Sequence, residues 1–393
     1  MDGGIDEDPY TEVANVLPNP DAVQEFSFQT NNYGAKFAGR GGGVVNIVTR
    51  SGSNEFHGVA FEYLRNAALN ARNFFAPRND GLKRNQYGFA FGGPIVKNRT
   101  FFFGSWQGTQ VRSLPSSLTS VVPTAAQRNG DFSALPLSAI SQQYRPNLID
   151  PDTGQAFPGN IIPQSRLDPV AQRVLEYLPT ASAADGLIFY QRANKETDNQ
   201  YLARVDHQFS SKHQLSGRYF FDTLKIPSII DPQNILTAVA NRRWLSQSAV
   251  ANYTVTVSPT VLVNTSLSYN RASAVQTQPE GFPGHRELGI NVPTMSTGST
   301  FQMNVNQYFS NSFNALYRVP RNQYNLQHGW TVIKGRHELE FGSISSANKA
   351  SSIRIFSTME TFHLPGSCRA ITCPISCSDD PVLSPRSILS TTT

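Results

Sequence analysis

No cysteine occurs before residue 368 of this chain, and the three present, Cys368, Cys373 and Cys377, fall within ten positions of one another. A cysteine-free body suits an envelope protein that needs no disulfides. The late trio has no fourth ligand at zinc-like spacing, His363 being a weak candidate, so no metal site is expected. Charge is sparse too: 16% of residues are charged, against roughly 25% in soluble domains. Lys and Arg stand singly and the net charge is a mild +5, which gives a nucleic-acid partner no support. No run of about 18 apolar residues is present, and that excludes a transmembrane helix. Motifs for catalysis are also missing. Gly39–Gly43 lacks the Gly-Lys-Ser/Thr ending of a phosphate loop and precedes a strand, no Gly-x-Ser-x-Gly or His-Glu-x-x-His occurs, and the seven histidines show no ligand spacing. The chain therefore reads as a non-enzyme without a cofactor.

Aromatic residues are plentiful, with Phe 25 and Tyr 14 in 393 residues, yet mean hydropathy is only -0.33. A transmembrane β-barrel combines these properties, because alternation hides its apolar face in the average. From Glu55 the chain does alternate with a period of two. Val59, Phe61 and Tyr63 share one face of the first run, and Tyr87, Phe89 and Phe91 share one face of the second. Lys97-Asn98-Arg99 turns that run into Thr100–Val111. Further runs are Tyr201–Phe209, Leu215–Phe221, Trp244–Val257, Val261–Tyr269, Gln323–Ile333 and His337–Ser343, separated by turns at Ser210–His213, Ser258–Thr260 and Lys334–Arg336. About nine strands of ten or so residues are expected, joined as an up-and-down meander. Tyr and Trp are expected at strand ends, and Arg204, Asp206, Gln208, Asn264, Ser266, Ser268, Glu338 and Glu340 on a polar lumen face. Residues 113–198, punctuated by nine prolines, and residues 272–320 read as long outer loops, and 225–241 as a further loop. Within the first, Asp168–Leu178 reads as a helix capped by Asp168.

Ahead of the meander lies Gly39, Arg40, Gly41, Gly42, Gly43 and then Val44, Val45, Asn46, Ile47, Val48, Thr49 and Arg50. Four glycines in five positions permit tight turns or close backbone approach, and the β-branched run after them reads as a buried strand. Residues 1–20 read as an irregular connector and Asp21–Thr30 as a strand. The acidic start, Met1–Asp8, has no signal-peptide pattern, so a barrel of this kind implies an export signal upstream and makes the sequence a fragment. After about Gly342 the alternation decays, and residues 346–393 are expected to be a low-order or artefactual tail.

Asp21–Phe26, Tyr33-Gly34-Ala35 and Gly41–Gly52 resemble the end of the plug domain of TonB-dependent outer-membrane receptors. Asn54-Glu55-Phe56-His57-Gly58, Arg65-Asn66, Asn73-Phe74-Phe75, Gly92-Gly93-Pro94-Ile95, Arg99-Thr100-Phe101-Phe102-Phe103 and Asn129-Gly130-Asp131-Phe132-Ser133 resemble the Oar-like subgroup more narrowly. The resemblance covers residues 15–345. It implies an all-β fold, with the C-terminal part of a plug over residues 1–54 followed by a partial antiparallel transmembrane barrel over 55–345, in a cell outer membrane. Barrels of the family close with roughly 22 strands, so the chain holds less than half a wall. No signal peptide, TonB box or first half of the plug is present.

The resemblance further implies energy-coupled import of a large or scarce ligand (a siderophore, cobalamin or oligosaccharide), with the TonB-ExbB-ExbD complex and outer-membrane lipid as partners. Residues 39 and 41–50 with Arg40 become the junction between plug and wall, and Arg40 and Arg50 are candidates to pair with Glu62 or Glu338. Two other readings stand beside it: a surface adhesion or structural protein anchored by its barrel, and a soluble β-rich secreted protein.

Overall fold

In the computed structural model the described residues are 1–8, 15–30, 43–72, 74, 79–114, 118–134, 148–181, 183–281, 283–284, 286–290, 302–305, 308–311, 316–350, 353–355 and 359–362. Strands β1 (Val23–Gln29) and β2 (Val44–Thr49) form an antiparallel pair in the register Phe26 to Ile47 and Phe28 to Val45. Next come β3 (His57–Asn66), β4 (Lys83–Val96), β5 (Thr100–Ser113), and a small antiparallel pair, β6 (Leu118–Val121) with β7 (Leu187–Tyr190). Strands β8 (Asn194–Ser210) and β9 (His213–Ile226) follow, then a second small pair, β10 (Ile229–Asp231) with β11 (Asn234–Val239). After β12 (Asn241–Ser258) and β13 (Val261–Thr277) come the short β14 (Gln302–Val305) and β15 (Phe309–Ser310), and then β16 (Leu316–Lys334) and β17 (His337–Ala350). Two short strands, β18 (Ile353–Ile355) and β19 (Met359–Phe362), pair with β16 and β14.

Nine of these make one antiparallel sheet in the order β3-β4-β5-β8-β9-β12-β13-β16-β17, so neighbours in the sheet are successive long strands of the chain. Short turns and long connections alternate strictly along it. Turns at 97–99, 211–212, 259–260 and 335–336 all lie at one end, and the connections 67–82, 114–193, 227–240 and 278–315 all lie at the other. Asn98 and Gly335 occupy the left-handed region in two of the turns (φ 63 and 61), as such tight reversals require.

Polarity across this sheet is the inverse of that in a water-soluble protein. Paired residues point to the same side, and the covered side carries Ser105, Gln200, Arg218, Ser248, Ser268 and Asn325, all buried. Large apolar side chains lie exposed on the other side: Phe89, Tyr201, Val205, Leu267, Leu326 and Phe341. The apolar stretch has a defined height. It runs from Phe209 to Tyr201 on β8, from Val261 to Tyr269 on β13 and from Val332 to Tyr324 on β16, nine residues each time, beginning at the short-turn end. That matches the roughly 9–11 residues with which a tilted strand crosses hydrocarbon.

Aromatic side chains cluster where the apolar stretch stops: Tyr87 packs on Trp106, Tyr201 on Phe221, and Tyr269 on Tyr324. Their hydroxyls meet polar neighbours above the boundary, Gln110 Nε2 donating to Tyr87 at 3.1 Å and Tyr269 donating to Asn322 Oδ1 at 3.0 Å. An amphipathic ring with one wet end suits an interface. This aromatic row therefore sits mid-strand rather than at strand ends. The eight strands from β4 onward are 14–19 residues long, and their outer faces turn polar beyond it (Asn199, Thr197, Lys195 on β8).

The decay of alternation after Gly342 also has this cause, since β17 stays paired with β16 to Ala350 although its last residues are polar on both faces. The expected helix is present as α2 (Pro169–Glu176), where Asp168 Oδ1 accepts from Val170 N at 2.6 Å and Ala171 N at 3.2 Å; a one-turn α1 (Ala125–Arg128) precedes it. Cys368, Cys373, Cys377 and His363 lie outside the described residues.

At the long-connection end the excursions share a core of their own. Val122, Val174, Leu178, Ile235, Leu236 and Leu288 are buried together, drawn from three different connections. Arg128 fastens this cap by donating to four carbonyls, Pro123 O at 3.2 Å, Leu175 O at 2.7 Å, Leu178 O at 2.9 Å and Pro179 O at 2.8 Å, which closes the exposed end of α2. Ile235 N donates to Tyr177 O and Val121 N to Tyr308 O, which ties the connections together. Burial pushes the Tyr308 phenol above its ordinary pKa, with the Gln127 amide partly offsetting it.

Candidate functional site: the polar face that seats the N-terminal segment

The polar side of the sheet is covered by residues 1–8 and by the β1–β2 pair. Met1, Ala22 and Ile47 bury against Ala90 of β4, Phe103 of β5, Leu202 of β8 and Phe220 of β9. Around this apolar contact the attachment is polar, and Asp2 is its centre. Its amide donates to Ile47 O at 2.8 Å, and its carboxylate accepts from Thr49 N at 2.8 Å and Thr49 Oγ1 at 3.0 Å, which binds it to the end of β2. From the wall, Arg204 Nη1 reaches Asp2 Oδ1 at 3.2 Å and Arg218 Nε reaches Oδ2 at 3.1 Å. Arg204 also donates to Thr49 O at 2.9 Å and holds Asp206 through Nε and Nη2.

Arg204 and Arg218 are direct cross-strand partners. Like charges placed so destabilise a sheet, and the carboxylate between them offsets that repulsion. All three side chains are shielded, with 15%, 2% and 6% of Arg204, Arg218 and Asp2 exposed, so the attraction is weakly screened.

Attachment continues along the wall. Asn252 Nδ2 donates to Asp2 O at 2.8 Å, Asn270 donates to Ile5 O, and Arg321 pairs with Asp8. Gln200 Nε2 donates to Leu17 O at 3.4 Å, and Asn19 Nδ2 to Ser105 Oγ at 3.5 Å. Six successive strands, β5, β8, β9, β12, β13 and β16, thus each give a polar side chain to this contact.

Of the residues singled out at the junction, Gly39, Arg40, Gly41 and Gly42 lie outside the described residues. Gly43 sits where a Cβ would meet the Phe28 ring at 2.5 Å. Val44, Val45, Asn46, Ile47, Val48 and Thr49 form β2, but it is not buried throughout. Ile47 and Thr49 are buried at 3% and 1% while Val45, on the same face, is 43% exposed, because only the Thr49 end of the strand packs against Met1, Asp2 and the wall. Arg50 donates through Nε to Val23 O at 3.2 Å and pairs with neither Glu62 nor Glu338. The reason is parity: Glu62 pairs in register with Tyr87 on the outer face, whereas Phe61 and Tyr63 point to the covered face beside Gly88 and Gln86. Glu338 stands on β17, beyond the part of the wall that the segment reaches.

Asp2 and Asp8 were the carboxylates that mattered, and residues 1–8 are not a mere connector. The available signal was an acidic stretch, Met1–Asp8, in a chain whose alternation puts Arg204 and Arg218 on the lumen side. Among the described residues no cluster of three His, Cys, Asp or Glu is placed to hold a metal, and no helix is long and apolar enough to cross a membrane.

A meander of long antiparallel strands, apolar outside, polar inside, ringed by aromatics and looped long at one end, is the wall of a transmembrane β-barrel. The sequence profile described as outer membrane beta barrel domain matches residues 48–370, and the chain belongs to that family. It is similar to the TonB-dependent transporter Oar of Myxococcus xanthus, 32% identical over 114 residues that make up 27% of this chain and 11% of Oar. As a member of that domain family the chain is a protein of the outer membrane. Among solved structures, the ferric-catecholate import receptor Fiu of E. coli superposes on 93% of this chain and 55% of its own at 10% identity with a TM-score of 0.44. The toluene transporter TbuX of Ralstonia pickettii superposes on 84% of this chain and 85% of its own at 7% identity and 0.20. The chain thus spans about a tenth of Oar and just over half of Fiu.

The hydrocarbon reading of the outer face predicts a depth-dependent cost. Val205 lies midway between Tyr201 and Phe209, and Val205→Arg should destabilise the membrane-assembled protein by about 2–4 kcal/mol. Thr197→Arg, on the same face beyond the aromatic row, should cost only about 0–1 kcal/mol. Denaturant titration of the two variants in lipid vesicles measures the difference, and equal costs would refute the placement of the band.

Proposed function

We propose that residues 1–54 are the closing part of a plug and that the nine-strand sheet is the adjoining wall of an energy-coupled importer. On this reading the TonB-ExbB-ExbD complex pulls on a region upstream of Met1, the segment leaves its seat, and a large or scarce solute of the siderophore, cobalamin or oligosaccharide class passes. The single observation that carries it is the seating of Asp2 between Arg204 and Arg218. Such a contact holds the lumen shut through a few polar groups that a directed pull can break in sequence. The similarity to Oar supports the coupling.

A second reading, a surface adhesin anchored by its barrel, draws support from the cap. It has a buried core of its own and presents Phe189, 70% exposed, and Ile149 and Ile161, each 49% exposed.

A disulfide reporter separates the two. A Cβ on Gly4 lies 3.1 Å from Ser268 Cβ, close enough that a small backbone adjustment brings Gly4→Cys and Ser268→Cys into bonding range. In cells carrying the full-length protein, an importer should show a lower cross-linking yield when energised than after a protonophore. Equal yields in both conditions would refute energy-coupled movement and favour the anchor.

A further inference from the structure

The wall arginines that the acidic segment satisfies have little else to satisfy them. Among the described residues Arg218 is ion-paired with one carboxylate, that of Asp2, and the charge of Asp6 also acts on it. Its Nη1 donates to Ser248 O at 3.2 Å, and its Nη2 is buried without a partner. Arg321 meets Asp8, and its Nε is buried without a partner. Arg204 keeps Asp206 and the Thr49 carbonyl whether or not residues 1–8 are in place, but loses Asp2. Displacing residues 1–8 therefore bares the Nε and Nη2 donors of Arg218 and takes the carboxylate partners from Arg321 and from Nη1 of Arg204.

The two seats are far apart. Arg218 lies in register with Val250, Ser268 and then Asn325, and Arg321 stands four residues further along β16. At strand spacings of about 4.8 Å and rises of about 3.3 Å per residue the separation is roughly 20 Å, so the wall offers a track of cationic stations towards the long-connection end. Arginine prefers planar, bidentate oxyanions, and in a lumen walled by low dielectric its field is focused rather than screened.

We propose that Arg218, with Arg204, forms an oxyanion seat in the lumen, that Asp2 occupies it as an internal surrogate ligand, and that the solute passing this wall carries carboxylate or phosphate groups. The inference rests on the plug reading and adds a substrate class to it. Asp2 then has two tasks. It closes the seat at rest, and it competes with incoming solute, so that the seat opens to anions only when the segment moves. The apparent affinity of the closed protein for an anion is reduced by the fraction of molecules in which the segment is away.

The test uses the purified full chain in detergent at low salt, with citrate as the carboxylate probe and inorganic pyrophosphate as the phosphate probe. The double variant Asp2→Asn/Asp8→Asn should bind at least one probe about tenfold or more tighter than the unmodified protein, and binding should weaken as salt rises. Whichever probe gains more identifies the anion source. Adding Arg218→Gln should abolish the gain. Adding Arg218→Lys, which keeps the charge but not the fork, should retain part of it and so guards against simple misfolding. If neither probe binds the double variant while the Gly4–Ser268 disulfide still forms in the cysteine pair variant, the anion seat is refuted and the plug reading stands. If that disulfide does not form, the seating itself is refuted, and the anion seat with it.

Discussion

Arg204→Ala should unseat the N-terminal segment and leave the wall assembled. The substitution removes contacts to Asp2, to the Thr49 carbonyl and hydroxyl and to Asp206, and it leaves two shielded carboxylates short of a counter-charge. Breaking a buried pair from one side costs about 3–5 kcal/mol. Arg218 remains to hold Asp2, so the lower end of that range, about 3 kcal/mol, is expected, or about a hundredfold in the seated-to-unseated ratio. Amide hydrogen exchange reads it directly, because Thr49 N–H donates to Asp2 and the amide of Asp2 to Ile47 O. Both amides should exchange about a hundredfold faster, while amides in the β12–β13 ladder stay as slow as before. Unchanged exchange at Thr49 would mean that the apolar contact of Met1, Ala22 and Ile47 carries the seating, and that the polar network is incidental.

Leu236→Ala should melt the cap without touching the wall. Leu236 is fully buried, packed among residues from three connections that share no other core among the described residues. Large-to-small changes at such positions cost about 2–5 kcal/mol. A cap held by one small core and by the Arg128 clamp has little stability to spare. Limited proteolysis should cut the 114–193 connection in the variant and spare it in the parent, with the sheet equally resistant to heat in both. Loss of wall stability as well would show that cap and barrel fold as one unit.

The wall was legible in the sequence because its code is local. A lipid-facing strand must alternate, and the turns at Asn98, Lys212, Pro259 and Gly335 punctuate the alternation clearly. What lay beyond the hydrocarbon was not legible. Outside the aromatic row both faces of a strand meet water, so β8 and β16 run on for several residues with no periodic signal, and β17 reaches Ala350 through polar text. The cap was missed for the opposite reason: Val122, Leu236 and Leu288 are far apart in a Pro-rich chain, and nothing in their neighbourhoods records that they meet. The pairing of Arg50 with Glu62 failed on a one-residue matter, since a strand read in the wrong phase moves every side chain to the other face. The ion pairs at Asp2 and Asp8 join positions some two to three hundred residues apart, and only charge complementarity linked them.

The strict segregation of short turns to one end has a consequence for how such a protein can change. Closing a loop costs free energy that grows only with the logarithm of its length, about 0.6 kcal/mol per doubling. Each long connection starts and ends on strands that are already locked side by side, such as β5 and β8 in unbroken register from Thr100 with His207 to Ser113 with Asn194. Residues can be inserted in the excursions at little cost to the wall, whereas a single residue added to a two-residue turn would slip a register that spans the bilayer. Inherited variation should therefore gather on the face that meets the outside world, and the face turned toward the cell should stay nearly constant.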